Sequence, residues 1–113
     1  MSEELREVSD EQSFAEVKEQ PLALLYKHST RCPIAFGAKS EVDRFAAKNL
    51  SVPIYMVNVV VNRDFSRRIA EDLGVKHESP QAILLRSGEA IKHTSHRRIT
   101  AQLLEEWVAE EPA

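Results

Sequence analysis

Apolar residues fall along this chain in two different rhythms. Leu22-Ala23-Leu24-Leu25-Tyr26 and Ile54-Tyr55-Met56-Val57-Asn58-Val59-Val60 are short, nearly unbroken apolar runs. Such runs are expected of strands covered on both faces. Elsewhere the apolar positions recur at helical spacing. Phe14 and Val17 form one such face, opened by Ser9 and Gln12 as a capping box, running to about Lys18 and stopped by Pro21. Ile34, Ala38, Val42, Phe45 and Ala46 mark a second helix, running to about Asn49. Phe65, Ile69 and Leu73 mark a third, capped by Asn62 and closed by Gly74. Gln81 to Arg86 and Glu89 to His93 read as two strands joined by a tight Ser87-Gly88 turn. Leu103, Leu104, Trp107 and Val108 face a last helix, with Thr100 as its cap and Ile99 and Leu104 as a hydrophobic staple.

The order is therefore α-β-α-β-α-β-β-α. A helix between two buried strands implies a parallel pair with a right-handed crossover. The hairpin adds antiparallel strands. The expected fold class is α/β, a thioredoxin-like fold: a four-stranded mixed β-sheet flanked by helices. No linker or repeat divides the chain, so residues 1–113 are expected to form a single thioredoxin-like domain.

Composition narrows the function classes. The chain has 113 residues, a net charge of −3 and one cysteine. A lone cysteine excludes an internal disulfide framework, a two-cysteine redox centre within one chain and a Cys-rich zinc site. The four histidines have no zinc-motif spacing, and no metal site is expected. No apolar run approaches the roughly 18–20 residues of a membrane span. The acidic, polar start MSEELREVSDEQ lacks the marks of a targeting peptide, so the expected location is cytoplasmic, with the thiol kept reduced. The charge is unevenly spread. Residues 1–20 hold seven acids and two bases, and residues 105–113 hold four acids and no base. The middle, residues 21–104, holds thirteen bases and seven acids, a local excess of +6 that suits an anionic ligand. Acidic ends that merely keep the protein soluble are the plainer explanation of the same pattern. The basic residues are scattered and do not interleave with aromatics, which argues against nucleic acid.

Cys32 carries the candidate chemistry. It follows the first buried strand and stands immediately before Pro33, which suits a helix's first turn. Ligands of open α/β sheets bind outside the carboxyl ends of the strands, and a helix N-terminus favours an anion such as a thiolate. Arg31 adds an adjacent positive charge. A lone cysteine is more often a small buried hydrophobe, but this placement is that of a nucleophile. Ser79-Pro80 precedes the third strand, and proline there can simply start a strand. A cis bond would instead present backbone groups beside Cys32, although only about 5–6% of X–Pro bonds are cis. His77 is placed to line the site, whereas His28 and His93 read as satisfied or solvated side chains and His96 precedes the final helix.

Three blocks resemble a known family: Lys27-His28-Ser29-Thr30-Arg31-Cys32-Pro33-Ile34-Ala35, Gly74-Val75-Lys76-His77-Glu78-Ser79-Pro80-Gln81-Ala82, and Thr94-Ser95-His96 with Ile99-Thr100. They look like the monothiol bacilliredoxins, thioredoxin-like proteins of the bacillithiol system, and the resemblance spans about Gln12 to Trp107. It implies that Cys32 is the redox-active thiol and Pro80 the cis proline. It implies removal of bacillithiol from S-thiolated client proteins through a Cys32 mixed disulfide. With no second cysteine, bacillithiol or a partner redoxin must resolve that disulfide. Bacillithiol is thus a thiol co-substrate, and no bound cofactor is implied. Arg31, Pro33, Lys76, His77, Ser79 and Pro80 are the expected neighbours of the ligand. The chain departs from the family at Ala35, where serine is frequent, and Arg31 stands at a variable position. A monomer is the default expectation. Two other functions fit the fold. One is an iron–sulfur cluster carrier, disfavoured because Pro33-Ile34-Ala35 replaces the glycine-phenylalanine-serine of monothiol glutaredoxins. The other is a non-catalytic stress or binding module.

Overall fold

The computed structural model describes residues 5–48 and 51–111. The elements run β1 (Leu5–Glu7), α1 (Glu11–Glu19), β2 (Leu22–His28), α2 (Pro33–Lys48), β3 (Ile54–Asn58), α3 (Arg63–Leu73), β4 (Gln81–Arg86), β5 (Glu89–Ser95) and α4 (Ala101–Ala109). One sheet has the order β1-β3-β2-β4-β5. β3 is parallel to both β1 and β2, and β4 is antiparallel to β2 and β5.

The apolar runs form the centre, as their pattern predicts. Successive strand residues point to opposite faces. Leu24 and Tyr26 therefore join Val42 and Phe45 of α2 and Leu104 and Trp107 of α4 on one face. Ala23 and Leu25 join Phe14 of α1 and Phe65 and Ile69 of α3 on the other. Each leucine so buried contributes roughly 1.5–3 kcal/mol.

The sheet has five strands, not the expected four. The extra strand, β1, has three residues, of which only Leu5 is buried. Its position comes from pairing Leu5, Arg6 and Glu7 with Ile54, Tyr55 and Met56, and its own pattern is too short to announce a strand. The cap of α1 also moves. Asp10, not Ser9, is the N-cap, and its carboxylate accepts from Ser13 N at 2.9 Å. Ser13 Oγ in turn accepts from Asp10 N, completing a capping box that uses serine instead of Gln12. Asn62 is the N-cap of α3, but its side chain makes no cap bond. Gly74 ends α3 with φ 68°, as a left-handed terminus requires. β3 stops at Asn58, because Asn58 Oδ1 turns back to accept from Val60 N at 3.0 Å. Asn49, the expected end of the second helix, lies outside the described residues.

Thr100 caps α4 as expected, its Oγ1 accepting from Leu103 N at 3.1 Å. Ile99 and Leu104 are both buried, consistent with the staple. Thr100→Ala should therefore lower unfolding stability by about 1 kcal/mol in urea titration, whereas Thr100→Ser should lie close to wild type.

Candidate active site

Cys32 is a half-buried free thiol directly before α2. Its backbone N–H donates to Ser29 O at 3.4 Å, and its carbonyl accepts from Ala35 N at 2.9 Å. The cysteine thus lies at the start of the helix, where the first backbone N–H groups have no intrahelical partner. Pro33 fills the first helical position and is exposed. Ala35 is completely buried, and its methyl offers Cys32 no hydroxyl contact.

The strand beneath is longer and more polar than its apolar run suggests. β2 continues through Lys27 and His28, both buried. The alternation of the strand sends them to opposite faces. On the α2 face, the Tyr26 hydroxyl donates to Ala35 O at 3.1 Å and lies 3.0 Å from His28 Nδ1. The phenol has a single hydrogen, so the imidazole Nδ1–H donates to the phenol oxygen. Burial holds His28 below the usual histidine range, with nearby Lys39 acting in the same direction. Burial raises the Tyr26 phenol, assisted by the negative charges of Asp43 and of Cys32 in its thiolate form. Tyr26 and His28 therefore form a neutral pair under the first turn of α2.

On the opposite face, Lys27 is fully buried and its Nζ donates to His77 Nδ1 at 3.2 Å. Burial pulls the amine down to about 8, a drop that the Glu78 carboxylate partly opposes. Burial and the Lys27 charge likewise lower His77, so the imidazole that accepts the bond is neutral. Gln81 is paired directly across from Lys27 in the sheet. Its Nε2 donates to Lys76 O at 3.0 Å, while its buried Oε1 has no hydrogen-bond partner among the described residues.

The segment from Lys76 to Pro80 is fastened by these contacts. The Ser79-Pro80 bond is cis. Pro80 is buried and Ser79 half-buried. The Pro80 carbonyl accepts from His96 N at 2.9 Å, joining the cis bond to the turn His96–Arg98 before α4. His96 adopts φ 57°, a left-handed conformation uncommon for a residue other than glycine.

Two adjoining hollows border this arrangement. One, of about 420 Å³, runs between Pro33, Ile34, Gly37 and Glu41 of α2 and His96, Arg97 and Thr100. The other, of about 550 Å³, lies between Ile34, Glu78, His93 and the His96–Arg98 turn. Of the residues predicted around the ligand, Pro33 lines the first hollow directly. Arg31 is exposed, its side chain lines neither hollow, and only its backbone N–H is fastened, to Ser29 Oγ at 3.3 Å. Lys76 is exposed and His77 turns to Lys27, so neither lines these hollows. Sequence reasoning missed Lys27, Tyr26 and the His96–Arg98 turn. The adjacent Arg97-Arg98 pair, directly after His96, was the available signal for the last.

The model of the monothiol bacilliredoxin BrxC family matches residues 3–104. The chain belongs to the monothiol bacilliredoxin family. A solved structure described as an oxidoreductase candidate with a thioredoxin fold is 31% identical, with a TM-score of 0.86 over 97% of this chain and 96% of that one. A single-site mutant of thioredoxin from Halobacterium salinarum NRC-1 is 16% identical, with a TM-score of 0.77 over 97% of this chain and 94% of its own. Thioredoxin from Trypanosoma brucei brucei is 15% identical, with a TM-score of 0.76 over 94% and 92%. These two share the fold, so this bacilliredoxin-family chain carries the thioredoxin architecture with one cysteine at the helix start. Among the described residues, no helix is long and apolar enough to cross a membrane.

Proposed function

We propose that this protein is a monothiol thiol–disulfide oxidoreductase that removes bacillithiol from S-bacillithiolated proteins. The observation that carries the reading is the half-buried Cys32 at the N-terminus of α2, in a chain of the monothiol bacilliredoxin family. In the first exchange, the Cys32 thiolate attacks the bacillithiol sulfur of the mixed disulfide. The bond from that sulfur to the client protein breaks, and the client cysteine leaves as a thiolate and takes a proton from solvent. A Cys32–bacillithiol disulfide remains. In the second exchange, an external thiolate attacks the bacillithiol sulfur of that disulfide and releases Cys32. Free bacillithiol as the attacker yields bacillithiol disulfide, and a partner redoxin yields its own mixed disulfide. Each step exchanges one S–S bond for another, so electrons balance without a bound cofactor. The neutral Tyr26–His28 pair supports this reading by holding the first turn of α2 without placing another charge beside the thiol. The protein acts, in this reading, as a cytoplasmic monomer on thiolated clients.

The test uses a model protein carrying bacillithiol on one cysteine. Mixing with reduced protein should remove the adduct and place one bacillithiol mass on Cys32, and excess bacillithiol should then return free Cys32. A client that retains its adduct at a high excess of reduced protein overturns the reading.

A further inference from the structure

The His96–Arg98 turn is bound to the cis-proline carbonyl, held in an uncommon backbone conformation, and set across a hollow from the first turn of α2. Neither Arg97 nor Arg98 forms an ion pair or side-chain hydrogen bond among the described residues, and both are exposed. Of the two acids that border the hollows, Glu41 is engaged and Glu78 forms no ion pair among the described residues. Glu41 Oε1 accepts from Ala101 N at 2.9 Å, and its Oε2 faces Arg44 at 3.5 Å. Glu78 is held as a carboxylate chiefly by a hydrogen bond from Ser95, with His96 and Lys76 adding positive charge nearby. Against the single carboxylate of Glu78, the second hollow therefore carries two guanidinium groups, which are suited to planar, bidentate recognition of carboxylates.

We infer that the His96–Arg97–Arg98 turn is the anion-recognising subsite of the thiol exchange, holding the carboxylate end of a low-molecular-weight thiol while its sulfur is joined to Cys32. This deepens the proposed function and rests on it for the identity of the thiol. It also moves recognition away from Arg31, Lys76 and His77. The first hollow begins at Pro33, the residue after the thiol, and its volume is that of a small-molecule site. The rigid link from His96 N to Pro80 O keeps the arginines in a fixed relation to the backbone beside which the mixed disulfide forms.

The experiment compares Cys32 reacting with two small disulfides: dithiobis-nitrobenzoate, with a carboxylate on each half, and cystamine, with an ammonium on each half. The double variant Arg97→Gln/Arg98→Gln should slow the anionic disulfide about ten-fold at low ionic strength and leave cystamine unchanged or faster. The effect should shrink as salt is added. The double variant Arg97→Lys/Arg98→Lys should recover only part of the rate, because it restores the charge but not the bidentate fork, and Arg6→Gln/Arg63→Gln, with the same loss of net charge on exposed residues elsewhere, should change it less than two-fold. Equal slowing in the Arg6→Gln/Arg63→Gln control overturns the subsite, whatever happens with a bacillithiolated client. Selective slowing confined to the Arg97/Arg98 variant upholds the subsite, even where the bacillithiolated client proves not to be a substrate.

Discussion

Cys32→Ala is expected to abolish removal of bacillithiol from a thiolated client, by a factor of at least about a thousand against the wild-type rate. Nucleophilic catalysis by this chain has a single possible thiol, because the sequence contains no other. Cys32 is half-buried and makes no disulfide. Its backbone is fixed by the Ser29 carbonyl on one side and the Ala35 N–H on the other. Replacing its side chain removes the attacking atom without cutting either bond, so the variant should keep the wild-type unfolding midpoint within about four degrees. Cys32→Ser should be as inactive, since an unactivated hydroxyl does not exchange with disulfides. Mass spectrometry should find no bacillithiol adduct on either variant. Activity retained by a folded Cys32→Ala protein would eliminate the covalent mechanism outright.

Lys27→Met should make the protein more stable at pH 7, by about 1–3 kcal/mol, or several degrees in melting temperature. The amine of Lys27 is completely buried and falls to about 8 in the folded state, whereas an unfolded lysine titrates near 10.5. Below pH 8 the amine is charged in both states, and the folded state bears the full penalty of holding that charge away from water. Between pH 8 and 10.5 the unfolded state binds more protons, so the stability of the wild-type protein rises with pH through that window. Methionine removes the charge at every pH and also removes the bond to His77, worth about 1 kcal/mol, which is why the net gain is smaller than the full shift. The stability difference between variant and wild type should therefore narrow as pH climbs from 8 towards 10.5. Denaturant titrations at pH 7, 9 and 10 check this, and a difference that stays constant would mean that the amine is not desolvated. A lysine that reduces stability and reaches the loop before the cis proline fits a role in holding that loop in place.

The central strands were legible because Leu22 to Tyr26 and Ile54 to Val57 are consecutive apolar residues, which only a sheet covered on both sides can bury. The position of Cys32 was legible because Pro33 marks the first turn of a helix. Lys27 and His28 read as the start of a loop, because charge and polarity normally end a buried strand. Their burial depends on His77, fifty residues away, and on Tyr26, which supply the hydrogen bonds that make it tolerable. β1 was invisible for a related reason, since its order resides in β3, to which it is bonded. The His96–Arg98 turn was underrated because only the folded chain shows His96 at positive φ and fastened to Pro80.

Ala35 has one consequence for how the molecule would behave in a cell. Its methyl is sealed beneath the helix, and its carbonyl is taken by the Tyr26 hydroxyl. An alanine there offers an adduct no polar side-chain atom, and with no second cysteine in the sequence only an outside thiol can evict the adduct from Cys32. Under the proposed reaction, release of Cys32 is bimolecular and first order in an outside thiol, and the capped fraction at steady state tracks the balance between adducted clients and free thiol. The protein then works as a gauge whose setting belongs to its surroundings, and a fall in the thiol pool would be recorded as a longer lifetime of the capped form.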